Sequence, residues 1–133
     1  MSDRIALTIP RERQFHKVAH LVLGGLALRH NLTLEQLEDL QIALDALLER
    51  DEREGEVSVE LRVGAETLTA ELGPFDSERL RGELGRDPQD GSVGLSRVLS
   101  TVVDDVEVTE RGGGAWIRLV KSVQGAQVAA EAS

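Results

Sequence analysis

The sequence contains no cysteine and few aromatic residues. Without cysteine the chain has no disulfide, no thiolate nucleophile and no cysteine-based zinc or iron–sulfur site. Aromatic residues make up 2% of the chain, with Phe15, Phe75 and Trp116 as the only large rings, so the core must be built from aliphatic side chains. The sequence also lacks an apolar run of signal-peptide or membrane-span length, which predicts a cytoplasmic protein without a membrane partner.

Basic residues are also scarce relative to acidic ones. The chain has 15 lysines and arginines against 24 aspartates and glutamates, and its formal net charge is -9. Because such a surface repels phosphate backbones, we expect no nucleic-acid partner. The length of 133 residues fits one domain, which we predict over residues 1–121, followed by a flexible C-terminal tail over residues 122–133.

The apolar residues switch between strand spacing and helix spacing along the chain. Alternation predicts strands near residues 4–9, 57–63, 67–72, 104–110 and 115–121. Helical spacing predicts helices near residues 11–29, 33–50 and after residue 91. The polar stretch 75–90 is predicted to be a mobile connection with one helical turn near residues 77–84. The predicted fold class is α+β, a two-layer sandwich with three helices on one face of a mixed, mostly antiparallel sheet of about five strands.

The second predicted helix carries the strongest local signals. Thr33 and Gln36 have the spacing of a capping box. At 100° per residue, one continuous apolar stripe consists of Leu37, Leu40, Leu44, Leu47 and Leu48. Asp45 and Glu49 lie opposite this stripe and are predicted to form a solvated face rather than a metal site or an acid/base pair. A border stripe between the two faces could offer side chains to a ligand, and it consists of Asp39, Ala43, Ala46 and Arg50.

Three stretches resemble one protein family. GLSRVLSTVVDDVEVTERGGGAWIRLVK, residues 94–121, resembles the glycine-box helix and last hairpin of the anti-sigma factor serine kinases. LQIALDALLER resembles the N-box helix of these kinases. TAELGPFD, residues 69–76, resembles their D-x-G-x-G box with some motif residues replaced. These kinases are small members of the GHKL ATPase superfamily, whose Bergerat-type fold is shared with histidine kinases and gyrase. The resemblance covers most of residues 4–121 and implies the same fold.

The chain departs from this family at the catalytic positions. The family's N-box helix supplies a general-base glutamate and, four residues later, an asparagine that holds magnesium. The ungapped match places Ala46 and Arg50 there, and neither side chain can perform those roles. A shift of one residue would place Asp45 and Glu49 there instead, but it would break the match of the preceding IAL residues. We therefore predict a pseudo-kinase with no catalytic residue and no metal.

The resemblance also marks a vestigial nucleotide pocket. Glu71 stands at the family's adenine-contacting aspartate, Gly73 is kept, and Gly91 and Gly94 stand in the phosphate lid. Arg50 could pair with a phosphate directly, without a metal ion. Alternatively, these glycines only cap and pack a helix. Because residues of the family's sequence motifs are replaced, we expect a protein without a cofactor. Binding of ATP or ADP is the alternative.

His16 and His20 lie one turn apart on the first predicted helix, which is the spacing of two metal ligands. The sequence offers neither an HExxH glutamate nor a nearby third ligand. These histidines are therefore predicted to be surface or packing residues.

The resemblance and the lost catalytic residues together indicate a function. We interpret the chain as a degenerate anti-sigma-like regulatory binding protein that acts by partner switching, with a sigma factor or an anti-anti-sigma domain as its partner and with homodimer formation. One alternative is an active or weakly active ATP-dependent serine kinase. A second alternative is a structural dimer of unknown role.

Overall fold

The computed structural model describes residues 3–50, 55–85 and 94–123. In chain order, the elements are β1 (Asp3–Pro10), a 3-10 turn (Arg13–Phe15), α1 (His16–His30), α2 (Leu34–Glu49), β2 (Glu56–Val63), β3 (Thr67–Phe75), α3 (Ser77–Gly85), α4 (Leu95–Val102), β4 (Asp105–Arg111) and β5 (Gly114–Ser122). Residues 124–133, most of the predicted tail, lie outside the described residues.

The five strands form one sheet in the order β1-β2-β3-β5-β4. Every neighbouring pair is antiparallel, so the predicted mixed sheet is wrong in this detail. The registers explain the difference. β3 and β4 run in the same direction, but β5 lies between them and is antiparallel to both.

The helices cover one face of the sheet, which confirms the predicted two-layer α+β architecture. Alternate residues of β2 and β3 point towards the helices and are almost fully buried, and these are Val57, Val59, Leu61, Val63, Leu68, Ala70 and Leu72. The residues between them point to the open face. Such alternation is typical of an antiparallel sheet with one solvated face.

Charged side chains pair with one another on the open face. Arg4 of β1 donates to Glu60 of β2 at 3.0 Å, and Arg62 donates to the same carboxylate at 3.0 Å. Desolvation of the carboxylate would by itself raise the pKa of Glu60, but the hydrogen bonds and charges of the two arginines outweigh it. The pKa of Glu60 therefore lies below its usual value.

The capping box at the start of α2 is confirmed. The backbone N–H of Gln36 donates to the Thr33 hydroxyl at 3.0 Å, and the backbone N–H of Thr33 donates to the Gln36 side chain at 2.9 Å. The apolar stripe lies in the core, where Leu40, Leu44, Leu47 and Leu48 are buried. α2 packs between α1 and α4, so it occupies the middle of the helical layer.

The stretch after β2 differs most from the prediction. β3 continues through Gly73 and Pro74 to Phe75, with a register irregularity against β5 between Leu72 and Phe75. The predicted connection contains α3, so the described residues form four α-helices and not three. Asp76 caps α3 through a 2.9 Å bond that its carboxylate accepts from the backbone N–H of Arg79. No helix within the described ranges is long and apolar enough to cross a membrane.

Candidate functional site

Arg50 lies at the C-terminal end of α2, and its side chain binds to other parts of the protein. The guanidinium Nη1 donates to the backbone carbonyl of Ala46 at 2.9 Å. The Nε atom lies 3.7 Å from the carboxylate of Glu83 on α3. These contacts direct the guanidinium towards α3 and partly neutralise its charge. A positive group at this place repels a cation.

α3 lies against the end of α2 and the end of β4. The Nε of Arg79 donates to the backbone carbonyl of Arg50 at 3.2 Å and so satisfies a carbonyl at the α2 terminus. At the other side of α3, Arg81 lies 3.9 Å from the carboxylate of Glu110 on β4. Glu110 also accepts a hydrogen bond from Ser77. α3 therefore joins the end of α2 to the sheet.

The cavity beside Arg50 is small. The space open to water there is about 20 Å³, which is room for about one water molecule. Its lining comes from α2, β3, α3 and α4, and consists of Leu47, Arg50, Phe75, Asp76, Arg79, Leu80, Glu83 and Leu95. A nucleotide does not fit in this space unless α3 moves away.

Ala46 and Gly94 lie near this cavity but have structural roles. Ala46 is 7% exposed and packs in the core. Gly94 is the N-cap residue of α4, and its carbonyl accepts from the backbone N–H of Val98 at 3.1 Å. Leu95, the next residue, lines the cavity. Gly91, which the sequence assigns to the phosphate lid, lies outside the described residues.

Glu71 does not lie with Arg50. It alternates with Ala70 and Leu72, which are buried under the helices, so its side chain points to the open face of the sheet. There its carboxylate accepts from the guanidinium of Arg111 at 2.6 Å. The carboxylate is thus on the opposite side of the sheet from the helices and is held by an arginine.

Gly73 also belongs to the open face, where it supports the single tryptophan. A Cβ built on Gly73 would lie 2.5 Å from Cδ2 of Trp116, closer than side chains pack. The guanidinium of Arg111 also lies over this ring, 4.1 Å from the ring centroid. Packing of Trp116 therefore accounts for the glycine at position 73.

The two carboxylates opposite the apolar stripe of α2 pair with side chains of α1 and of the 3-10 turn before it. Asp45 lies 2.7 Å from the ring Nε2 of His20, and Glu49 lies 3.5 Å from a guanidinium nitrogen of Arg13. These pairs keep both carboxylates away from the cavity at Arg50. His16 is 8% exposed, and its buried Nε2 has no hydrogen-bond partner among the described residues. No cluster of three metal-binding side chains occurs in residues 3–50, 55–85 and 94–123.

The described residues do not fit a magnesium nucleotide. Arg50, which the ungapped match places at the expected metal-ligand position, is paired with Glu83, and Ala46, which it places at the expected base position, is buried. The acceptor expected to contact adenine faces the other side of the sheet. The cavity between these elements has room for about one water molecule.

Comparison with known proteins identifies relatives that match most of the chain. No protein-family model matches the chain. The chain is 29% identical to the serine-protein kinase RsbW of Bacillus velezensis, over 95% of this chain and 89% of the relative. It is 29% identical to the RsbW of Listeria monocytogenes, over 81% of this chain and 80% of the relative. The RsbW of Bacillus subtilis is 25% identical over 96% of this chain and 90% of its own length. The resemblance to the anti-sigma serine kinases is confirmed.

Two residues that line the cavity, Arg79 and Glu83, were not predicted as site residues from the sequence. Phe75 and Asp76 also line it, and they belong to the stretch 69–76 that resembles the D-x-G-x-G box. Asp76 followed by Ser77 and Glu78 is an N-terminal helix signal that could have indicated α3 and so placed Arg79 and Glu83 on it.

Proposed function

We propose that this protein is an anti-sigma-type regulatory binding protein that acts by partner switching in bacterial transcription and does not transfer phosphate. The similarity to serine-protein kinases named RsbW supports the partner-switching role. The proposed partner is a sigma factor or an anti-anti-sigma domain.

One observation carries the proposed loss of kinase activity: the Arg50 side chain stands at the family's magnesium-ligand position and pairs with Glu83 at 3.7 Å. Phosphoryl transfer depends on a metal ion that neutralises charge and positions the phosphates. An arginine cannot coordinate that ion, and Ala46 one turn earlier cannot accept a proton. Arginine at position 50 and alanine at position 46 each lower the expected rate of phosphoryl transfer, because each replaces a group that the chemical step requires.

A calorimetric titration with ATP and ADP, with and without magnesium, tests this proposal. We expect no magnesium-dependent binding and no transfer of labelled phosphate to an anti-anti-sigma protein. The RsbW of Bacillus subtilis, measured in parallel, is the control that shows whether the assay detects such a kinase. Micromolar, magnesium-dependent binding together with phosphate transfer would overturn the proposal.

The second candidate function is an active serine kinase, and the similarity to relatives named serine-protein kinases favours it. ATP or ADP would then be its cofactor, and α3 would have to move away from Arg50 to admit it. The same titration separates the two functions, because only the kinase requires the metal-bound nucleotide.

We also propose that the protein forms a homodimer through α1. Val18, Leu21 and Leu28 are exposed on this helix, by 37%, 76% and 86%. Together with Gly25 they follow the three-and-four spacing of a helix-pairing seam, and a Cβ built on Gly25 would meet nothing within 4 Å. An apolar helical stripe of this kind indicates a contact surface.

Charge supports a second copy of this chain as the occupant of that surface. α1 contains Lys17 and no acidic residue, whereas the neighbouring surface of α2 carries Glu35 and Glu38. A twofold axis would place the basic helix of one copy beside the acidic helix of the other.

Replacing Leu21 or Leu28 by glutamate tests the dimer. Each change puts a charge into the apolar contact, and we expect the dissociation constant to rise at least about ten-fold, the equivalent of roughly 1.4 kcal/mol. Light scattering during size-exclusion chromatography measures the molar mass as concentration falls. Thr101→Glu, at an exposed position of α4, is the matched control and should leave the dimer unchanged. A wild-type protein that is monomeric at high concentration would contradict the dimer.

A further inference from the structure

A second and larger groove lies between α4, the end of α3 and the start of β4. The space open to water in it is about 240 Å³, against about 20 Å³ beside Arg50. Its apolar lining consists of Leu84, Leu99, Val103 and Val106. Leu99 and Val103 are almost fully buried, and Leu84 and Val106 are half-buried. The groove can therefore take up an apolar side chain without rearrangement of the core.

The groove adjoins an open edge of the sheet. β4 is the last strand in the order β1-β2-β3-β5-β4, and it pairs with β5 alone. Within the described ranges no strand pairs with its other side, so backbone N–H and C=O groups remain for a further strand. An extended peptide can add to such an edge and place alternate side chains in an adjacent pocket. The free edge of β4 and the apolar groove thus both indicate an extended peptide as the occupant.

Among the described residues that line the groove, the charged ones are acidic. They are Asp104 and Asp105, at the end where β4 begins. Asp104 accepts from the backbone N–H of Ser122 at 2.6 Å, which holds its carboxylate in place. Asp105 is exposed, and its carboxylate has no hydrogen-bond or ion-pair partner in residues 3–50, 55–85 and 94–123. Charge complementarity therefore favours a basic occupant.

We propose that this groove binds an extended basic segment of a partner protein. The segment adds a strand to the free edge of β4, inserts an apolar side chain between α4 and β4, and pairs a lysine or arginine with Asp105. This binding site is separate from Arg50 and from the exposed stripe of α1. It does not depend on whether the chain binds nucleotide, so failure of one proposal leaves the other intact.

A fluorescence anisotropy titration of the full chain tests this site. The probe is a short fluorescein-labelled peptide in which lysine and valine alternate around a central leucine. A second peptide has glutamate in place of every lysine, and a third keeps the lysines but contains two prolines, which prevent strand addition. We expect the first peptide to bind at least ten-fold more tightly than the other two.

Two substitutions locate the binding site. Asp105→Lys reverses the charge beside the groove, and Ser100→Trp fills the groove from an exposed position of α4. We expect each to weaken binding of the lysine peptide at least ten-fold. Glu66→Lys makes the same charge reversal at the exposed turn between β2 and β3 and should have little effect. Circular dichroism and thermal unfolding show whether each variant remains folded.

Several results would overturn the proposal. Absence of binding to the wild-type chain would do so, as would equal binding of the glutamate peptide. Equal binding of the proline peptide would show attraction by net charge alone, without strand addition. Unchanged affinity in folded Asp105→Lys and Ser100→Trp proteins would place the peptide elsewhere.

Discussion

Leu44→Ala is expected to lower the free energy of unfolding by about 2–5 kcal/mol, as large-to-small changes in a packed core do. Leu44 is 1% exposed and belongs to the stripe by which α2 contacts the rest of the core. α2 packs against both α1 and α4, so a cavity there reduces contacts of the whole helical layer. Urea denaturation followed by circular dichroism measures the loss.

Ile42→Ala on the same helix is the matched control. Ile42 is 47% exposed and lies on the opposite side of α2. Removal of its side chain loses little buried area, so we expect a change below about 1 kcal/mol. Equal losses in the two variants would mean that α2 does not pack as the structure describes.

Gly73→Ala is expected to lower the free energy of unfolding by about 1–3 kcal/mol, the usual cost of an added methyl group in a filled space. The new Cβ would lie 2.5 Å from Cδ2 and 2.8 Å from Cγ of Trp116, so the ring must move. Movement of the ring also disturbs its stacking with Arg111. Trp116 is the only tryptophan, so its fluorescence emission reports this movement directly.

Gly82→Ala is the control for this substitution. Gly82 lies inside α3, and a Cβ there would meet nothing within 4 Å. Alanine favours a helix interior over glycine by roughly 0.5–1 kcal/mol, so a small gain in stability is expected. If Gly73→Ala were neutral and left the emission unchanged, packing of Trp116 would not explain the glycine, and the nucleotide role of this position would regain support.

Local signals predicted the elements that depend on local chemistry. The capping box of Thr33 and Gln36 predicted the start of α2 to the residue, because both hydrogen bonds close within four residues. Alternation in residues 57–63 predicted a half-buried strand, because successive side chains of a strand point to opposite faces. The pattern of strands and helices predicted the two-layer arrangement, and the resemblance to the anti-sigma kinases implied the same fold.

α3 extends over nine residues, where the sequence predicted one helical turn near residues 77–84, because the helix depends on distant partners. α3 is polar, and Leu80 is its one side chain classed as buried. Arg79 and Glu83 contact Arg50, which is about thirty positions earlier in the chain. Apolar periodicity cannot detect a helix that is held by such polar contacts.

In the candidate site, too, local spacing predicted some features, and contacts between distant elements decided the others. The spacing within α2 correctly indicated that Ala46 and Arg50 share one side of a helix, since they are one turn apart and joined by a hydrogen bond. It could not indicate what faces Arg50. The motif match grouped Glu71 with Arg50, but the strand alternation of β3 turns Glu71 to the other face of the sheet.

The sequence by itself determined the fold class and the boundaries and apolar face of α2. Under the ungapped match, it also determined that position 46 has no acid/base side chain and that position 50 has no metal ligand. Each of these follows from residue type or short-range spacing. Only the tertiary structure decided that α3 closes the space beside Arg50, that Gly73 supports Trp116 and that a groove opens beside β4. These features arise where elements far apart in sequence meet, and their geometry depends on packing that no local pattern encodes.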